Sequence, residues 1–124
     1  MGLPQANRLK RWQDFQAVYQ QGSRYSSPHL VLRAMPVAGA TDTSKIGVSV
    51  SQKVSKKATV RNRLKRQIRV AIRQMLPDLC GGWQIIIAVR PQAAECKSEH
   101  FLRELKQLLS KAGILHGHSR NDIL

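Results

Sequence analysis

Apolar and polar positions alternate along this chain with a period that changes from segment to segment. Between Lys10 and Gln21, Trp12, Phe15 and Tyr19 recur at i, i+3 and i+7, which predicts a helix that Gly22 ends. The run Leu30-Val31-Leu32-Arg33-Ala34-Met35, bounded by Pro28 and Pro36, is rich in β-formers and predicts a strand, with a short one possible before it near Arg24. Residues 37–44 have the small, polar composition of a loop. Lys45 to Ser51 then alternates. Ile46, Val48 and Val50 share a face expected to be core, and Gly47, Ser49 and Ser51 share a face expected to be open and small.

The second half is more apolar. Ser55 is expected to cap a helix reaching about Met75, before Pro77. After Gly81-Gly82, the unbroken run Trp83 to Val89 predicts a strand buried on both faces, ended by Pro91. Ser98 opens a last helix to about Ala112, with Phe101, Leu102, Leu105, Leu108 and Leu109 inward and Gly113 as its stop. Residues 1–8 and 116–124 are expected to be flexible ends. The order of elements predicts one α+β domain of two layers, with about three helices on a small sheet.

Charge changes the picture most. The 124 residues carry 21 Lys and Arg against 7 Asp and Glu, a net +14 that a polyanion would neutralise. Nucleic acid is the leading partner and an anionic membrane surface the second. No membrane-spanning run exists, since Ile85 to Val89 falls far short of the roughly 20 residues required. The start, Met1-Gly2-Leu3-Pro4-Gln5, lacks a signal peptide's apolar core, so a cytoplasmic location is expected. Cys80 and Cys96 have no zinc-site spacing and read as reduced thiols.

The cations are concentrated on the central helix. No acid occurs from Thr43 to Pro77. At about 100° per residue, Val60, Leu64, Ile68, Ala71, Ile72 and Met75 form an apolar stripe. Lys65, Arg66, Arg69 and Arg73 fall opposite, with Arg61 and Arg63 at the margins. A solvated face normally mixes signs to gain i,i+4 pairs, and this one has no carboxylate to pair with, so phosphate binding is expected. Lys56 and Lys57 are expected in the first turn, where the helix dipole disfavours cations unless an anion binds beside them.

These residues resemble a known family. Ser49-Val50-Ser51-Gln52-Lys53 followed by Ala58-Thr59-Val60-Arg61-Asn62-Arg63-Leu64-Lys65-Arg66-Gln67-Ile68-Arg69 is similar to the bacterial ribonuclease P protein, with its Arg-Asn-Arg triplet running into Lys-Arg and a further Arg. Asn7-Arg8-Leu9-Lys10, Asp14-Phe15, Val18-Tyr19, Gly22 and Ile85 to Pro91 extend the resemblance over most of the chain. It implies a four-stranded sheet with a left-handed βαβ crossover, of the kind seen in a ribosomal protein domain. It also implies a subunit of a tRNA-maturing endoribonuclease whose partners are a catalytic RNA and precursor tRNA, with no obligate protein partner and no membrane. Lys56, Lys57, Arg61, Asn62, Arg63, Lys65, Arg66, Arg69 and Arg73 would contact the catalytic RNA. Phe15, Tyr19, Arg33, Ser49 and Lys53 would contact the single-stranded 5′ leader, and Trp12 is expected in the core. Two positions depart from the pattern. Arg33 stands where some members carry an aromatic residue, so its contact is expected to be ionic, and Gln52 stands where Lys is frequent.

A protein active site is not expected. The acids Asp14, Asp42, Asp78, Glu95, Glu99, Glu104 and Asp122 are scattered, where a metal-dependent nuclease needs several that converge. An RNase using His as acid and base would need two placed across a phosphate; the candidates are His29, His100, His116 and His118, and the last two fall in the tail beside Gly117. Catalysis would then belong to the partner RNA, with magnesium held chiefly by RNA and the protein inactive alone. The rivals are a ribosomal or other structural RNA-binding protein, a protein-only endonuclease, and a DNA-binding protein.

Overall fold

The structure is a computed structural model that describes residues 7–37, 43–91 and 98–115. In chain order it contains α1 (Trp12–Gln21), β1 (Ser23–Ser26), β2 (Leu30–Pro36), β3 (Lys45–Ser49), α2 (Ala58–Met75), β4 (Trp83–Val89) and α3 (Ser98–Lys111). The strands form one mixed sheet in the order β1-β2-β4-β3. β2 runs antiparallel to both β1 and β4, with Leu32 opposite Ile87, whereas β3 is parallel to β4, with Ile46 opposite Ile85. A parallel pair cannot be closed by a tight turn, and α2 supplies the crossover.

β4 is interior to the sheet, and both its faces are covered. Ile85, Ile87 and Val89 join Leu30, Leu32, Ala34 and Ile46 in the main core, against Leu64, Ile68, Ile72 and Met75 of α2 and Phe101, Leu105, Leu108 and Leu109 of α3. Ile86 points the other way, into a second cluster with Leu9 and Val18 that is flanked by Phe15 and Met35. The two expected layers are therefore the sheet with α2 and α3, while α1 packs alone on the opposite face.

Two features pin the periphery. At the edge of the sheet Arg8 pairs with Ile46, the Leu9 N–H donates to the Ile46 carbonyl at 3.0 Å, and Asn7 Nδ2 donates to the Ser44 carbonyl at 3.0 Å. Asn7 and Arg8 are thus tied to β3, and the rest of the expected flexible ends, 1–6 and 116–124, lies outside the described residues. On the other side Glu104 of α3 is buried and accepts hydrogen bonds from the Ser27 hydroxyl, from the His29 N–H at 2.9 Å and from His29 Nδ1 at 2.5 Å, which fastens α3 to the β1–β2 connection. Burial pushes this carboxyl up, but the bonds from Ser27 and His29 and the attraction of His29 outweigh that, and its pKa lies below the usual value. Gly113, at φ 77, ends α3 in the left-handed region.

Candidate nucleic-acid interface

The start of α2 differs from its expected form. The helix begins at Ala58, its N-cap is Lys57, and Ser55 is not the cap. Instead the Lys57 N–H donates to Ser55 Oγ at 3.2 Å, and Arg61 Nη1 folds back to donate to the Ser55 carbonyl at 2.9 Å. Lys56 and Lys57 therefore precede the first turn rather than occupying it. The positive end of the helix still carries two exposed ammonium groups and the Arg61 guanidinium, with no acid in the first turn. An anion bound there would relieve the conflict with the dipole.

Further along, burial sorts the cations into two rows. Arg61, Lys65 and Arg69, spaced by four residues on one flank of the apolar stripe, are half-buried. Asn62, Arg63, Arg66 and Arg73 are exposed. Lys65 and Arg69 are thus not on the face opposite the core, as the wheel had placed them. Arg69 instead lines a cleft of about 230 Å³ with Arg8, Leu9, Lys10, Phe15, Ile46, Gly47 and Val48.

The cleft has an aromatic wall. Phe15 packs so closely on Gly47 that a Cβ there would stand 2.5 Å from Phe15 Cζ. The bare strand position admits the ring, which is the physical sense of the small face read from Gly47 and Ser49. One turn on, the Tyr19 ring faces the Arg33 guanidinium, whose carbon lies 4.9 Å from the ring centroid, a cation–π geometry. Arg33 belongs to β2, on the same sheet face as Ile86 opposite it.

The structure thus brings Phe15 and Arg69 into one cleft and pairs Tyr19 with Arg33 beside it. Ser49, half-buried at the end of β3, and Lys53, exposed in the following loop, do not line the cleft. Arg8 and Lys10 do, and neither was among the expected contacts. Their signal was the alternation Arg8-Leu9-Lys10, in which a buried leucine between two cations marks a short edge pairing. Trp12 overturns its expectation outright. It is 64% exposed and belongs to neither apolar cluster.

Glu104 is committed to Ser27 and His29, and among the described residues no three His, Cys, Asp or Glu side chains converge as metal ligands. Asp42, Glu95, Asp122, Cys96, His116 and His118 lie outside the described residues; Cys80 is half-buried, and its thiol donates to the Gly113 carbonyl at 4.0 Å.

A family model described as Ribonuclease P matches residues 3–113. The chain belongs to the ribonuclease P protein family. It is 60% identical over 120 residues to the ribonuclease P protein component of Microcystis aeruginosa, covering 95% of this chain and 100% of that one. The corresponding protein of Synechocystis sp. is 57% identical over 125 residues, with 100% of both chains covered. Among solved structures, the ribonuclease P protein of Staphylococcus aureus superposes with a TM-score of 0.80 at 26% identity, covering 88% of this chain and 97% of that one. The ribonuclease P protein of Thermotoga maritima gives 0.75 at 25% identity, covering 84% and 96%. The α+β fold expected from the resemblance is therefore the fold of ribonuclease P proteins.

Proposed function

We propose that this chain is the protein subunit of a ribonuclease P ribonucleoprotein that removes the 5′ leader from precursor tRNA. In this reading the exposed cations of α2, with Lys56 and Lys57 at its start, hold phosphates of the RNA subunit, while the cleft beside α1 takes the single-stranded leader. The observation that carries it is Arg69: a residue of the basic helix lines the same cleft as Phe15, which would let that helix serve both RNAs. Phe15 and Tyr19 offer faces on which unpaired bases stack without sequence demand. Arg33, Ser49 and Lys53 would act on the leader backbone beyond the cleft lining.

The reaction is hydrolysis of one phosphodiester bond, leaving a mature tRNA 5′ end. Magnesium ions held chiefly by RNA would act as Lewis acids on the scissile phosphate and activate the attacking water. The protein's own residues bind and orient, and they lower the repulsion between two polyanions. The proposed setting is the cytoplasm; no helix among the described residues is long and apolar enough to cross a membrane.

Reconstitution tests the reading. Added to the ribonuclease P RNA of the same organism at low magnesium, the protein should raise the rate of leader removal, and the protein alone should cleave nothing. Cleavage by protein without RNA would overturn the division of labour, and no effect on the RNA enzyme would overturn the subunit assignment.

A further inference from the structure

Trp12 is the most exposed large apolar side chain among the described residues, it belongs to neither core, and it precedes Phe15 by one turn of α1. Around α1, at about 100° per residue, Phe15, Tyr19 and Trp12 follow Val18 at roughly 60°, 100° and 120°. Exposure rises in the same sense, from 0% at Val18 through half-buried Phe15 to 45% at Tyr19 and 64% at Trp12. Trp12 is therefore the outermost member of the aromatic wall, and it precedes Tyr19 by roughly 10 Å along the helix axis.

A single exposed aromatic residue ordinarily needs no explanation. Trp12 differs through its surroundings. Arg8, Lys10 and Arg69 gather at the Phe15 end of the wall, Arg11 is exposed next to Trp12, and Arg33 lies over Tyr19. Asp14, the acid of this helix, is about 160° away from Trp12 around the axis. An exposed indole face on the helix that borders this cationic cleft complements an unpaired base with its phosphate, whereas an apolar protein partner would leave those cations desolvated.

We propose that Trp12 is a third base-stacking platform, which extends the leader track past Phe15 and Tyr19 toward the start of α1. The occupant is an unpaired leader nucleotide, and the assignment rests on the leader reading above. Trp12 acts in substrate affinity and is not a catalytic residue.

The holoenzyme provides the test, with mature tRNA and precursors whose leaders are lengthened one nucleotide at a time. In the otherwise native chain, Trp12→Ala should weaken binding of long-leader precursor roughly five- to twentyfold and leave mature tRNA unchanged. Trp12→Phe should restore most of the loss. In a Trp83→Phe background Trp12 is the sole tryptophan, and its fluorescence should be quenched by leader-bearing precursor once the leader reaches a threshold length, with no quenching by mature tRNA. If Phe15→Ala costs leader affinity and Trp12→Ala does not, the platform is wrong and the leader reading stands. Quenching that is complete on adding the RNA subunit alone would place Trp12 on that RNA and overturn the proposal. If neither variant separates precursor from mature tRNA, the leader reading itself fails.

Discussion

The ring of Phe15 rests on Gly47, across the gap between α1 and the edge of the sheet, at a distance no side chain at position 47 would permit. Gly47→Ala should force the ring outward and cost about 1–3 kcal/mol of stability through overpacking. Chemical denaturation measures that loss. The same variant should weaken leader-bearing precursor more than mature tRNA, and Phe15→Ala should do likewise. Equal losses for both RNAs, in folded protein, would return Phe15 to a purely structural role.

Arg69 and Arg73 lie one turn apart on α2 and face different surroundings, the first half-buried in the cleft and the second exposed. Arg69→Ala should therefore reduce affinity for leader-bearing precursor several-fold more than Arg73→Ala does. Binding assays with the assembled holoenzyme decide this, and indistinguishable variants would remove Arg69 from the cleft.

On the outward face, Arg63→Ala combined with Arg66→Ala should weaken binding to the RNA subunit and make the negative slope of log K against log salt shallower by roughly 1 to 2 through lost counterion release. A titration series in monovalent salt reads the slope directly. An unchanged slope would mean that these side chains do not meet phosphates.

Glu104 makes the fold acid-sensitive. Its pKa is lower in the folded chain than the ordinary 4.5, because the bonds from Ser27 and His29 outweigh the burial that pushes it up. The folded state thus binds fewer protons than the unfolded state. The resulting stabilisation is fully present above about 4.5 and is lost as pH falls through the folded value. Glu104→Gln should lower the melting temperature near neutral pH and flatten its fall below about 4.5. A variant with the acid limb of the wild type would remove Glu104 as its source.

Much of the architecture was legible from local patterning. β4 was bounded as observed because seven consecutive residues can be largely apolar only where both faces are covered. α2 announced its buried stripe by its period, and Leu64, Ile68, Ala71, Ile72 and Met75 are indeed its buried residues. Its cationic character needed only the absence of acids. Helix ends were less legible: Ser55 has the chemistry of a cap, yet its hydroxyl serves the Lys57 N–H while the helix waits until Ala58.

Helical period assigns faces relative to a helix's own axis and says nothing about what each face meets. The apolar stripe of α1 gave equal claim to Trp12, Phe15 and Tyr19, and the docking angle of α1 on Ile86 left Trp12 outside. Glu104, one carboxylate among seven in the chain, became a buried anchor because the β1–β2 connection brought Ser27 and His29 to it from about 75 residues away. Arg69 reached the cleft because β3 pairs with β4 in parallel, Ile46 opposite Ile85, and the crossover lays α2 across that edge. Element type, the apolar stripe and the basic helix follow from short-range order, in which neighbours along the chain share one backbone geometry. Which cation joins which aromatic residue depends on long-range pairing, whose partners no local period encodes.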